Sequence, residues 1–203
     1  RWLEGVRAAL DVARECPQTQ CVLMADSEAD IYEILAEPRV TEAGCRLELI
    51  IRAAGDRNLE EDGETLLSSV RGTPCLYRSM VDVSRRTQKT NVKEERPRKR
   101  SRDARRAEVE IRATRVTIRS PRHRAKRPSL TYNVVLVEET TSLEGEVPIQ
   151  WILITSLPID TLEDIQRIVS YYCHRWQIEI YFRTLKSGCR IQERYFETMN
   201  RLE

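Results

Sequence analysis

Near the C-terminal end of the sequence, four side chains are spaced for chemistry on phosphate. Tyr172, Arg175, Glu179 and Lys186 lie in a stretch that runs from Thr161 to Ser187 without Gly or Pro. An α-helix advances about 100° per residue, so Arg175, Glu179 and Lys186 fall about 60°, 20° and 40° to the same side of Tyr172. The four share one sector about 60° wide and span about 21 Å of helix axis. Ile165, Val169, Trp176 and Arg183 flank the stripe. Such a face is apolar in its first turns and then presents Arg, Glu and Lys. It suits a helix that packs on a sheet at one end and meets a charged ligand at the other. A solvated face with i,i+4 pairs, Arg175 with Glu179 and Glu179 with Arg183, gives the same pattern.

A second carboxylate sharpens the chemistry. Asp26 follows the short apolar run Cys21-Val22-Leu23-Met24-Ala25. Such a run reads as a strand buried on both faces of an α/β sheet, and ligands bind beyond the carboxyl ends of such strands. Taken alone, an Asp at this place more often caps the helix that follows. A strand-end Asp with a helix Glu flanked by Arg and Lys is a ligand set for one or two Mg²⁺ ions, with Mn²⁺ as an alternative. Two such ions activate a water or a 3′-hydroxyl and stabilise the leaving oxygen of an in-line displacement. Arg and Lys beside them hold phosphates.

The elements that must position these groups follow from the apolar pattern. Leu3, Val6, Leu10 and Ala13 repeat at helical spacing over residues 2–15, and Pro17 ends that helix. After the Cys21–Ala25 strand, Ser27 is expected to cap a helix with Asp30, burying Ile31, Ile34 and Leu35. Leu47 to Ile51 reads as a second buried strand, so the chain opens helix, strand, helix, strand. Asp56 to Gly63 is an acidic, turn-rich loop. Strands are expected at Leu76–Val83, through Val109, Ile111, Val116 and Ile118, at Tyr132–Glu138 and at Trp151–Thr155, with no helix between them and a turn at Gly145. Thr87 to Arg106 is basic, lacks periodicity and contains Pro97, which predicts a hairpin loop; His123 to Pro128 is a second basic loop. Thr161, with Asp164, then opens the helix that carries the four side chains and ends at Gly188. This organisation divides the chain into an α/β core over 1–57, an antiparallel β-rich insertion with basic loops over 58–156, and a return to the core over 157–203.

Composition bounds the function. The chain has 203 residues, 33% charged and 40% hydrophobic, with a mean hydropathy of −0.52. No apolar run approaches the roughly 18 residues of a membrane span. The net charge of +2 hides polarity. Residues 84–127 hold 18 Lys/Arg against 5 Asp/Glu, leaving 16 basic and 27 acidic residues elsewhere. That asymmetry fits a polyanionic partner, or a solvated basic loop. The cysteines Cys16, Cys21, Cys45, Cys75, Cys173 and Cys189 have no zinc-knuckle spacing, with only His123 and His174 beside them. They are expected to be reduced, mostly buried thiols of a cytoplasmic protein.

Tyr172, Arg175, Glu179 and Lys186 reproduce the spacing of the YREK signature, and here the sequence resembles the IS-four family of bacterial DDE insertion-sequence transposases, in particular its Tn-five-like members. Ala25-Asp26-Ser27-Glu28-Ala29-Asp30-Ile31 is similar to that family's D-R-E-A-D-I segment, with Ser27 where Arg is usual. Trp151-Ile152-Leu153-Ile154-Thr155-Ser156 is similar to its W-x-L-L-T-S strand. The likeness covers nearly the whole chain. It implies a partial ribonuclease-H-like α/β core interrupted by the antiparallel insertion. It also implies DDE chemistry: three carboxylates hold two Mg²⁺ ions, hydrolysis frees a 3′-hydroxyl at a transposon end, and that hydroxyl attacks target DNA. The resemblance assigns Asp26 and Glu179 as catalytic, metal-binding carboxylates. Tyr172, Arg175 and Lys186 would contact terminal phosphates, Trp151 would stack on a flipped base, and Arg52 would lie near the DNA. The partners implied are double-stranded DNA ends, target DNA and a second copy in a homodimer, with no membrane and a place in the bacterial cytoplasm at the nucleoid. Glu4, Asp11 and Glu15 lie on an amphipathic helix and do not replace the first carboxylate. The sequence, which opens Arg1-Trp2 without Met, is therefore expected to start downstream of that carboxylate, with an exposed edge on the Cys21–Ala25 strand. Alone it is expected not to cleave. A non-catalytic DNA-binding remnant and a nuclease of the same fold are the alternatives.

Overall fold

A computed structural model describes residues 2–40, 44–83, 104–121, 127–141 and 147–189. The core is one six-stranded mixed sheet with helices on both faces. Helix α1 (Trp2–Glu15) leads to strand β1 (Cys21–Ala25), helix α2 (Tyr32–Ala36) and strand β2 (Leu47–Arg52). Helix α3 (Leu66–Arg71) precedes β3 (Tyr77–Val83), β4 (Arg105–Ile118), β5 (Leu130–Glu139) and β6 (Gln150–Thr155). Helices α4 (Leu162–His174) and α5 (Gln177–Arg183) close the described chain. The strand order is β1-β2-β6-β5-β4-β3. Strands β1 and β2 are parallel; every other pair is antiparallel. The antiparallel strands therefore continue the sheet that β1 and β2 begin, joined through β2 and β6 at Ile51↔Ile154.

Side-chain alternation sorts the two faces. Leu47, Leu49 and Ile51 of β2 join Val134, Leu136, Ile152 and Ile154 under α1, α2 and α3. Ile50, Val135, Val137 and Leu153 face the opposite layer with Ile165, Ile168, Val169 and Tyr172 of α4. Strand β4 serves both: Ala107, Val109 and Ile111 pack on the α4 side, Val116 and Ile118 on the α1 side. Its pairing with β5 is continuous from Val109 to Ile118. The parity change therefore reflects which face is covered by helices, not a bulge.

Several expectations are corrected. Strand β1 lies at the sheet edge, as expected, but Cys21, Val22, Leu23 and Met24 are only half-buried rather than enclosed on both faces. Ser27 does not cap a helix. Asp26 caps a short 3-10 turn (Ser27–Ala29), accepting from the Glu28 N–H at 3.0 Å, while Asp30 is taken by Arg57. Helix α3 lies where no helix was expected: Thr65 caps it, and Ser68 stands where the usual signature has Glu or Gln. Arg105 and Arg106 belong to β4 rather than to a loop. The basic loop expected from Thr87 falls outside the described residues as far as residue 103, as do the turn at Gly145 and residues 123–126 of the loop expected from His123 to Pro128. No cysteine is buried: Cys16, Cys75, Cys173 and Cys189 are exposed, Cys21 and Cys45 partly so.

The last helix is also interrupted. Thr161 and Asp164 form the expected capping box, and Ile165, Ile168, Val169 and Tyr172 form the buried stripe. After His174 the backbone tightens into i→i−3 bonds, from Arg175 to Tyr172 and from Glu179 to Trp176. It resumes as α5 and ends in a π turn over Thr184–Gly188. No Gly or Pro explains the break. The buried stripe stops at Tyr172, and α5 has no buried residue.

Candidate functional site

Strand parity brings the site together. Ala25 pairs with Ile51, so Asp26 and Arg52 follow side by side at the carboxyl ends of the parallel strands. Asp26 shares parity with Val22 and Met24, which pack on the α4 side, and Arg52 shares parity with Ile50. Trp151 of β6 packs against the same layer. Its ring meets Tyr172 edge-to-face, with centroids 5.3 Å apart. This is the crevice outside the strand ends where α/β sheets bind ligands.

Tyr172 is buried at 5% exposure. Burial pushes its hydroxyl above the ordinary tyrosine range, with Asp26 adding to the rise, while Arg52 and Arg175 oppose it. The Tyr172 hydroxyl thus lies within electrostatic reach of Asp26, Arg52 and Arg175 together. The Arg175 guanidinium sits 5.8 Å from the Tyr172 ring centroid and 5.9 Å from that of Trp176. It also donates to Glu179 Oε1 at 3.1 Å. Arg52 donates to Ser27 Oγ at 3.4 Å, a weak tie between the two strand exits.

A groove of about 1050 Å³ opens beside this cluster. Arg52, Trp151, Tyr172 and Arg175 line it at one end; Arg78, Arg105 and Arg106 line it along β3 and β4. Arg78 pairs with Glu110 at 2.7 Å, and Arg105 pairs with the buried Glu139. Sequence reasoning missed Arg78, Gln166 and Ser170 as lining residues. They are isolated polar positions on otherwise regular elements and carry no spacing signal. Lys186 lies in the exposed π turn beyond the groove, and Glu179 is tied to the cluster through Arg175.

Each assigned carboxylate keeps one oxygen without a hydrogen-bond partner among the described residues. Asp26 uses Oδ1 for its cap and Glu179 uses Oε1 for Arg175. An unused carboxylate oxygen is a ligand type that a hard divalent cation takes, filling its shell with water and phosphate oxygens. Among the described residues, no group of three or more His, Cys, Asp or Glu side chains converges.

The family model for the transposase DDE domain matches residues 5–203. The chain belongs to the transposase DDE domain family. Its mixed α/β sheet, helix-covered on both faces, is consistent with the ribonuclease-H-like core of a DDE domain. Membership of a transposase family implies DNA as a partner. No helix among the described residues is long and apolar enough to cross a membrane.

Proposed function

We propose that this DDE domain is of the IS-four type and serves hydrolytic cleavage at transposon ends and strand transfer to target DNA. One observation carries the reading: Arg52, Trp151, Tyr172 and Arg175 line one groove, and Asp26 stands beside Arg52 at the carboxyl ends of β1 and β2. Asp26 and Glu179 would hold Mg²⁺, or Mn²⁺, through their unused oxygens. Bound there, the metal supplies the charge that activates a water or a 3′-hydroxyl and steadies the leaving 3′-oxygen. Arg52, Arg175 and Lys186 hold the phosphates on either side of the scissile bond. Tyr172 seats the Arg175 guanidinium, and Trp151 offers a ring face to an unstacked base. In the first step water forms the new P–O bond and the 3′-oxygen leaves with a proton. In the second, that 3′-hydroxyl forms the bond to a target phosphorus and a target 3′-oxygen leaves. Phosphodiester bonds are conserved in the exchange, so no external energy source is needed.

The division at residues 57 and 156, action as a homodimer bridging two ends, and a cytoplasmic place at the nucleoid belong to the same reading. A non-cleaving role for these residues on their own belongs to the same reading. Asp26→Asn in the transposase that contains this chain tests the reading. Metal-dependent cleavage should fall roughly a hundredfold or more, with DNA binding nearly intact. Undiminished cleavage refutes it, and loss of DNA binding makes Asp26 structural. The isolated chain should not nick DNA with Mg²⁺.

A further inference from the structure

The catalytic reading leaves Asp30 without a task, yet Asp30 is the most heavily engaged carboxylate near the site. Its side chain is 2% exposed. Oδ2 accepts from the Ala54 N–H at 2.7 Å. Both oxygens accept from Arg57 Nε, at 3.0 and 3.2 Å, and Oδ1 accepts from Arg57 Nη2 at 2.6 Å. Arg57 Nη2 also donates to the Asp30 backbone carbonyl at 2.7 Å. This is the fork-on-carboxylate geometry that fixes orientation as well as distance.

The placement of these bonds gives them their meaning. Asp26 and Asp30 bracket the 3-10 turn, with Ala29 N–H bonded back to the Asp26 carbonyl and Asp30 N–H to that of Ser27. A displacement of Asp30 is therefore passed through a single tight turn to Asp26. On the other exit, Ala54 lies two residues past Arg52, and Ala53 N–H is bonded to the Ile152 carbonyl of β6. Asp30 thus ties the turn that carries Asp26 to the backbone that carries Arg52. A weaker link between the exits is the 3.4 Å bond from Arg52 to Ser27 Oγ.

We propose that Asp30 and Arg57 are positioning residues: their ion pair sets the place of the Asp26 carboxylate relative to Arg52, and acts on the reaction only through them. The inference rests on Asp26 being catalytic. With all its polar atoms engaged, Asp30 has nothing left for metal or DNA. A misplacement on the ångström scale is enough to cost about a hundredfold in rate.

The experiment uses the transposase that contains this chain, supercoiled plasmid DNA and Mn²⁺, with rates expressed per folded molecule. Asp30→Asn, Arg57→Gln and the double variant are compared with Asp26→Asn; Arg57→Lys, which keeps the charge but not the fork, guards against loss of folding. Asp30→Asn and Arg57→Gln should each lower turnover about ten- to a hundredfold, with the half-saturating DNA concentration changed less than about threefold. The double variant should be no worse than either single one, because the two act as a unit. Arg57→Lys should lie between. Mn²⁺ affinity, read by electron paramagnetic resonance without turnover, should weaken severalfold in Asp30→Asn. Wild-type turnover and Mn²⁺ affinity per folded molecule in Asp30→Asn, with Asp26→Asn inactive, overturn the positioning role alone. Full activity in Asp26→Asn overturns the catalytic reading and this inference with it.

Discussion

Arg175 shows how one side chain links packing and ligand chemistry. Its guanidinium is held between two aromatic rings and paired with Glu179, and its side chain is only 17% exposed. Each cation–π contact in such a setting contributes about 0.5–1 kcal/mol, and an ion pair with a partner as exposed as Glu179 adds little. Arg175→Ala should therefore destabilise the fold by about 1–2 kcal/mol, read as a shift in denaturant midpoint. If Arg175 also holds a phosphate, the slope of log affinity against log salt should fall by about one. An unchanged slope confines Arg175 to packing. Its i,i+4 pairing with Glu179 is legible in the sequence. Its two ring contacts are not, because they depend on the backbone tightening after His174.

At the scale of elements, helix α4 carries the cluster, and its start is fixed locally. The Thr161 hydroxyl accepts from the Asp164 N–H at 3.2 Å, and Asp164 Oδ2 accepts from the Thr161 N–H at the same distance. Thr161→Ala should cost about 1 kcal/mol in chemical unfolding, with a loss above about 2 kcal/mol pointing to a wider role for the cap. That box could be read directly from T-x-x-D before an apolar stripe. The box at Thr65 could not, because Ser68 does the work of Glu with a shorter reach, and α3 went unseen. The continuous helix to Ser187 also failed as an expectation. Propensity favours continuation, but helices are stabilised mostly by burying a face, and past Tyr172 none is buried.

For the whole molecule, two apolar layers on one sheet set the response to pH. Burial pushes Tyr77 up to about 12, and pushes Tyr132 and Tyr172 above their ordinary range. Each is favoured as the neutral phenol in the fold. The stability they contribute is complete below about pH 10 and is lost as pH rises through the folded values, for Tyr77 toward about 12. Denaturant midpoints should fall above about pH 10, in step with delayed phenolate absorbance. Tyrosines that titrate normally, with stability unchanged, would contradict the packing. The sequence by itself determined the strands, the first helix, the cap at Thr161 and the identities of the groups able to do phosphate chemistry, because apolar period and hydrogen-bonding side chains act over a few residues. Tertiary structure alone decided that Asp26 stands beside Arg52 and that Arg52, Trp151 and Tyr172 share one groove, although they lie far apart in the chain. Strand order and register choose the neighbours, and local pattern carries neither.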